Sequence, residues 1–459
     1  MEPDGIPRAP ARSSNMLVHL GRFPVARSGP LLLVLCLLAC LPALGSAATQ
    51  RRHPASTAPL GGVDISAPSY HSLPSRIDRE VAEAHALHAT VVRTEVPWSL
   101  LQPLGPGQID AAALAVTDRL VNDAAADGMR VVMLVASTPC WASSAPASLL
   151  RECDPRRASG AQSWPPTETA SFAAFVGFLA KRYGTRLAAI EIWNEPDQAN
   201  EKYFAGPRKA ERYAAILRAA YPAIKQANKA VAVLAGSLVG SNGQFLRALY
   251  AAGIRGYYDG LAVHFYTLAL ASLRAIHETQ LANRDATPLW LDEFGWTSCW
   301  PRERIQQEQA CVTAQTQAAN LADLFHALAR TPYVASLIAF KLQDSVGEDF
   351  GALTVTGAPK PAFAALVRVL SSPFGSAHPV TLRLFRHRGR VIASGSGPVG
   401  DYMQLEAFRG RVLRYKVLFT LDRFNRYSVA LPHALGVHGL RVRVFQFWAG
   451  LGAAAQKRI

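Results

Sequence analysis

The stretch Ala189-Ile190-Glu191-Ile192-Trp193-Asn194-Glu195-Pro196-Asp197 decides the fold. Its first half is apolar and β-branched, as a buried strand is, and it then breaks into a polar turn closed by Pro196, so Asn194 and Glu195 fall where the strand ends. A carboxylate at a strand end faces a site and not a core. Further along, Pro288-Leu289-Trp290-Leu291-Asp292-Glu293-Phe294-Gly295-Trp296 repeats the design, an apolar run followed by acids, an aromatic and a glycine.

Around these two stretches the chain alternates short apolar runs with longer amphipathic ones, the pattern of parallel strands joined by helical crossovers. Predicted strands are 61–66, 90–94, 130–136, 189–193, 231–236, 260–265, 288–292 and 335–341; predicted helices lie near 75–88, 111–127, 168–183, 207–228, 243–252, 269–284, 303–330 and 360–370. Eight of each predict an α/β fold, a (β/α)8 TIM barrel over residues 60–374, with the two glutamates ending strands four and seven. Such barrels carry their chemistry at the C-terminal ends of the strands. From about 376 the texture changes to period-two runs, Val380–Phe385, Arg390–Ala393, Tyr402–Phe408, Val412–Phe419 and Leu440–Phe445, separated by Gly, Pro or Asn turns. Residues 375–459 therefore read as a small antiparallel β-domain.

With 459 residues, 50% hydrophobic and 18% charged, the chain is globular and long enough for one large domain and a smaller one. The formal charge of +15 is uneven: residues 375–459 hold fourteen Lys/Arg against three Asp/Glu, a net of +11. A basic surface suits an anionic polysaccharide or an acidic membrane; the sequence has no nucleic-acid motif. The plainer alternative is an accessory sandwich with arginines on its wet face.

The leader points to export. Leu31–Leu41 is an uncharged apolar run preceded by Arg22 and Arg27 and followed by small residues from Ala43 to Ala48, as in a signal peptide over residues 1–48. The run is short for a membrane span of about 20 residues; an uncleaved anchor, or a lipid on Cys40, are the alternatives, and Met16 is a second candidate start. A Pro/Ser/Arg-rich linker follows over 49–59. Of six cysteines, Cys36 and Cys40 lie in the leader, leaving Cys140, Cys153, Cys299 and Cys311. Four allow three pairings, and loop closure favours the local ones, Cys140–Cys153 and Cys299–Cys311, which an oxidising compartment permits; the alternative is free buried thiols, and the lack of a short C-x-x-C spacing disfavours a zinc site.

Two strand-end glutamates supply what glycosidic bond cleavage requires: one protonates the leaving oxygen and one attacks the sugar carbon. Trp-Asn-Glu-Pro followed by a strand ending in Glu-Phe-Gly resembles the retaining glycoside hydrolases of clan A, family 39 most closely. The resemblance covers roughly 60–372 and implies hydrolysis with retention. Glu195 is the expected acid/base, its pKa raised by an apolar strand end beside Trp193 and Pro196, and Glu293 the expected nucleophile. Asn194 would hydrogen-bond the sugar 2-hydroxyl, Arg93 would steady the nucleophile by an ion pair, and His264 and Tyr266 match the family's His-x-Tyr near the nucleophile. Trp98 and Trp296 would offer flat faces to sugar rings. Phe340 stands where the clan usually has a tryptophan platform, with Lys341 and Gln343 beside it. Asp292 departs from many relatives, and alternation along the strand predicts that it points away from the barrel interior.

Both expected disulfides would staple rim loops that also hold Trp141, Trp164, Trp296 and Trp300, which suit stacking along a glycan chain, the alternative being that half of them pack under the loops; an open aromatic-lined groove would favour an endo-acting enzyme. Secreted bacterial enzymes that cut biofilm exopolysaccharide look closest in the Arg-x-x-x-x-Trp and Glu-Phe-Gly-Trp surroundings; β-xylosidase and iduronidase activities are other outcomes in the family. The expected partner is a carbohydrate polymer. No metal or organic cofactor is needed for this chemistry. The rival readings are a non-catalytic glycan-binding protein on a barrel and an assembly factor that works through the basic β-domain.

Overall fold

The computed structural model describes residues 58–458 except 68–72, 240–242, 267–269, 303–304, 307–308, 400–401, 437 and 447–453. The expected signal peptide, the second start, Cys36, Cys40 and nearly all of the linker lie outside the described residues. Among the described residues no helix is long and apolar enough to cross a membrane.

Eight parallel strands close into a barrel. Seven are β1 (Leu60–Asp64), β2 (Val91–Glu95), β3 (Arg130–Val135), β4 (Leu187–Ile192), β5 (Ala232–Leu238), β6 (Gly260–His264) and β7 (Leu289–Phe294). After a short hairpin of β8 (Ile305–Gln306) and β9 (Gln309–Ala310), β10 (Val334–Ala339) completes the ring in the order β1-β10-β7-β6-β5-β4-β3-β2. Helices pack outside; the first, third-strand and fourth-strand crossovers are Pro74–Ala86, Thr169–Tyr183 and Lys209–Ala227. Every expected barrel strand is present within two residues of its expected bounds or overlaps them closely. One helix is corrected: the segment expected to be helical over 303–330 is a hairpin first, and the helix runs only Ala314–Leu328. The start is set by Thr313, whose hydroxyl accepts from the Thr316 amide at 3.0 Å, while Cys311 just before it is tied to Cys299.

The barrel interior is filled in layers. Near the strand starts Val91, Val132, Ala189, Leu234, Ala262, Trp290 and Ile338 pack against one another. Two residues on, the same inward columns place Arg93, Glu191, His264 and Asp292, all buried. The apolar layer is therefore a floor, and a charged layer lies directly above it at the C-terminal ends.

The C-terminal region forms two antiparallel sheets around their own core. One is β11 (Arg383–His387), β12 (Arg390–Ser396) and β15 (Arg426–Ala430), in that order; the other is β14 (Val412–Phe419), β13 (Met403–Arg409), β16 (Leu440–Gln446) and β17 (Ala454–Arg458). Leu382, Ala393, Met403, Leu405, Ala407, Val442 and Val444 fill the space between them. β15 and β17 were not expected from the sequence: Arg426–Ala430 is short and Ala454–Arg458 ends in charge, so neither carries a strong alternating pattern.

Candidate active site

Arg93, in the middle of β2, is 2% exposed and organises the charged layer. Its Nε and Nη2 donate to the two oxygens of Glu191 at 2.8 and 2.9 Å, the forked geometry a planar guanidinium is built for. Its Nη1 donates to both Asp64 Oδ2 and Glu293 Oε1 at 2.7 Å, and Asp292 Oδ2 lies 3.4 Å from Nε. Burial disfavours the charge, but Glu191 and Glu293 outweigh it and hold Arg93 well above its ordinary pKa.

Glu293 reaches the site because β7 carries an irregularity. Opposite β6 the register steps from Val263 beside Leu291 to His264 beside Glu293, and opposite β10 from Leu337 beside Leu291 to Ala339 beside Phe294. An extra residue in a strand re-aims its side chains. Asp292 thus continues the inward column from Trp290, and Glu293 is turned in as well; both are buried. This corrects the expectation that Asp292 points away. Burial alone would raise Asp292, but the charges of His264 and Arg93 prevail and hold it well below the usual carboxylate range. Gly295 follows because the Phe340 carbonyl passes where its Cβ would be.

Glu195 is placed by backbone turns. Trp193 and Glu195 have φ of 70° and 43°, in the left-handed region, at the point where β4 ends. The Trp193 ring is thereby buried beside Phe172 and Phe204, and the Glu195 carboxylate accepts from Gln198 Nε2. His264 joins the two glutamates: its Nδ1 is 2.7 Å from Glu195 Oε1 and its Nε2 is 3.3 Å from Glu293 Oε1. Burial lowers the His264 pKa, but Glu293 and Asp292 raise it further, so it stands well above the ordinary histidine value. One ligating atom each of Glu195, His264 and Glu293 lies within 4.8 Å of the others. Tyr266 Oη donates to Glu293 Oε2 at 2.8 Å, so both oxygens of Glu293 are held, one by Arg93 and one by the phenol. Burial, with Glu293 adding to it, pushes the Tyr266 phenol up, which keeps it a donor.

Beyond these residues a cavity of about 350 Å³ opens, lined by Asp64, Glu95, Asn194, Tyr203, Phe340, Lys341, Gln343 and Glu348 among others, with Arg93 and Glu293 in its wall. Asn194 Oδ1 is 3.4 Å from Arg93 Nη2. Phe340 packs edge-on to Tyr266, and Lys341 Nζ pairs with Glu348 at 2.6 Å.

Two expected sugar platforms are elsewhere. Trp98 is fully buried: it begins the short helix Trp98–Leu101, stacks on Phe175 and donates its Nε1 to Gln102 Oε1 at 2.8 Å. Trp296 is 4% exposed within the barrel core. Trp141 packs on Trp98, Trp164 lies under Arg212, and Trp300, 37% exposed, is covered by Arg423 at 4.5 Å and by Phe424. The disulfides Cys140–Cys153 and Cys299–Cys311 are formed, as loop closure predicts.

Asp64, Glu191 and Ser237 belong to the site although the sequence did not single them out. Ser237 Oγ donates to Glu191 Oε1 and, at 3.2 Å, to Asp292 Oδ2. Burial, opposed by Arg93 and helped by Asp292, pushes Glu191 up to about 8; burial, opposed by Arg93 and helped by Glu293, pushes Asp64 up to about 7. Asp64 ends β1, so the strand-end rule that picks out both glutamates picks it out equally.

A family model described as Cellulase (glycosyl hydrolase family 5) matches residues 75–322, more than half of the chain. No curated protein matches. Among solved structures, a family 39 glycoside hydrolase from the gut symbiont Bacteroides cellulosilyticus WH2 is 18% identical with a TM-score of 0.52, over 82% of this chain and 79% of that one. GH5_18 from Streptomyces cattleya, solved in complex with GlcNAc, is 18% identical with a TM-score of 0.51, over 71% of this chain and 83% of that one. At such identity the likeness to both structures is one of fold.

Proposed function

Because the chain belongs to the cellulase family, glycosyl hydrolase family 5, and so to the clan A glycosidases, we propose that it cleaves O-glycosidic bonds with retention of configuration, Glu195 serving as acid/base and Glu293 as nucleophile. The observation that carries this reading is the approach of the two carboxylates: an oxygen of each lies within 4.8 Å of the other. Retaining enzymes hold their carboxyls about 5–5.5 Å apart, whereas inverting ones leave about 6.5–9.5 Å for a water between them.

Glu293 attacks the anomeric carbon as the glycosidic C–O bond breaks, and the departing oxygen takes the proton of Glu195. A water then gives a proton to Glu195 and attacks the same carbon, releasing Glu293 and restoring both groups. Arg93 and Tyr266 fix the Glu293 carboxylate by one oxygen each, which orients it before substrate arrives. Asn194, on the cavity wall, is positioned for a hydroxyl of the bound sugar.

The substrate in this proposal is a bacterial exopolysaccharide cut internally, outside the cell. The signal-like leader and two disulfides support export. The buried Trp98 and Trp296 take no part, and Phe340 and Tyr203 are the aromatic side chains that line the cavity. The test is NMR of the first product released from an aryl β-glycoside that the protein turns over. The β-anomer appearing first is the expected result, and the α-anomer first would overturn retention.

A further inference from the structure

From the outer face of the four-stranded C-terminal sheet we infer a second saccharide site, one that holds an anionic, carboxylate-bearing polysaccharide away from the catalytic cavity. The proposal takes the class of its ligand from the glycosidase reading above. Alternation turns Met403, Leu405, Ala407, Leu440, Val442 and Val444 to the core, and so turns the residues between them outward. On that outer face Arg441 lies over the Phe408 ring at 4.6 Å, and Arg443 over the Phe445 ring at 4.5 Å. The two guanidinium groups are thus supported on aromatic rings, an arrangement that presents them with little loss of side-chain freedom.

The register sharpens the point. Arg441 is directly opposite Phe408 on one side and Arg458 on the other. Like charges directly opposite in a sheet are unfavourable. Arg443 is directly opposite Glu406 in the register, and Glu406 Oε1 accepts from Gln404 Nε2 at 2.6 Å. Arg441 Nε is itself buried and has no hydrogen-bond partner among the described residues, whereas Arg443 and Arg458 are exposed. A row of anions laid across β13, β16 and β17 would relieve the repulsion and engage the exposed guanidinium groups of Arg443 and Arg458, which a carboxylate can do bidentately. A chain polymer held here also has its neighbouring units at raised local concentration for the cleavage site. That coupling favours a glycan over an acidic membrane as the occupant.

The test measures retention of the purified protein on polygalacturonate, on neutral dextran and on phosphatidylglycerol vesicles, beside turnover of a small aryl glycoside. The wild type should bind polygalacturonate, more weakly as salt rises, and should not bind dextran. Arg441→Gln/Arg443→Gln/Arg458→Gln should bind the polyanion at least tenfold more weakly with aryl-glycoside turnover unchanged; the single exposed change Arg443→Gln should show a several-fold loss should the triple variant not fold. Equal binding by the variants, no wild-type binding to polygalacturonate, or preference for the vesicles would overturn the proposal. Loss of turnover on every glycoside with polymer binding intact would instead overturn the glycosidase reading and leave this face standing.

Discussion

Arg93 is committed to Glu191, Asp64 and Glu293 at once, and its surroundings determine how the site responds to mutation and to pH. Replacing it by Met leaves several buried carboxylates without their cation. Breaking a buried ion pair from one side costs about 3–5 kcal/mol, so urea denaturation of Arg93→Met should show a loss of that order. Three neighbours set the pH dependence. Asp64 is raised from 3.8 to about 7, Glu191 from 4.5 to about 8, and His264 above 6.5. Each binds protons more tightly folded than unfolded, so each contributes stability that is full below its unfolded value and is lost as pH rises through its folded one. Stability measured by denaturant should therefore fall from about pH 4 to about pH 8, with the Asp64 part confined to the range below about 7. Asp64→Asn should flatten that part; an unchanged slope would show that Asp64 does not take up a proton on folding. At this scale the sequence pointed to Glu195 and Glu293 because each falls where a strand ends, and to Arg93, His264 and Tyr266 through the resemblance to family 39. It misled on Asp292, since alternation counted back from Glu293 assumes a regular strand, and the extra residue in β7 has no signature in the sequence. It misled on Trp98 because the short helix after β2 turns the indole back onto Phe172 and Phe175.

The elements that carry the site are fastened at the rim. Cys140–Cys153 and Cys299–Cys311 close loops with sequence separations of 13 and 12. Loop-closure entropy makes each worth about 3 kcal/mol, so Cys→Ser at either pair should lower the melting temperature by several degrees in calorimetry, and reduction should do the same to the wild type. The second bridge lies closer to the chemistry. The second strand of the hairpin within its loop starts at Gln309, whose side-chain amide donates to the carbonyls of Tyr266 and Gly295 at 2.9 Å each. Removing Cys299–Cys311 should therefore reduce kcat as well as stability, while removing Cys140–Cys153 should act on stability alone; equal effects on kcat would contradict that division. The barrel strands were legible because a strand enclosed on both faces reads as an apolar run of fixed length. The hairpin was not, because residues 303–313 are polar and of mixed propensity, and what stops the helix from extending into them is tertiary: the disulfide and the Thr313 cap.

Across the molecule, charge is divided between two surfaces. The cavity wall carries Asp64, Glu95, Glu293 and Glu348 against Arg93 and Lys341, while residues 375–459 hold a net of +11. An acidic cavity suits the hydroxyls of a sugar, and a basic sheet suits a polyanion; the charge imbalance was legible in the sequence, but the seating of Arg441 over Phe408 of the neighbouring strand depends on strand register, which composition does not encode. The claim to which both surfaces answer is that Glu195 and Glu293 cleave a glycosidic bond. The measurement is hydrolysis of a panel of aryl β-glycosides and bacterial exopolysaccharides by the wild type, Glu195→Gln and Glu293→Gln. Loss of the proton-transfer group should lower kcat/KM by roughly 10²- to 10⁴-fold, and loss of the nucleophile by at least as much. Wild-type turnover left unchanged by either substitution would contradict the account.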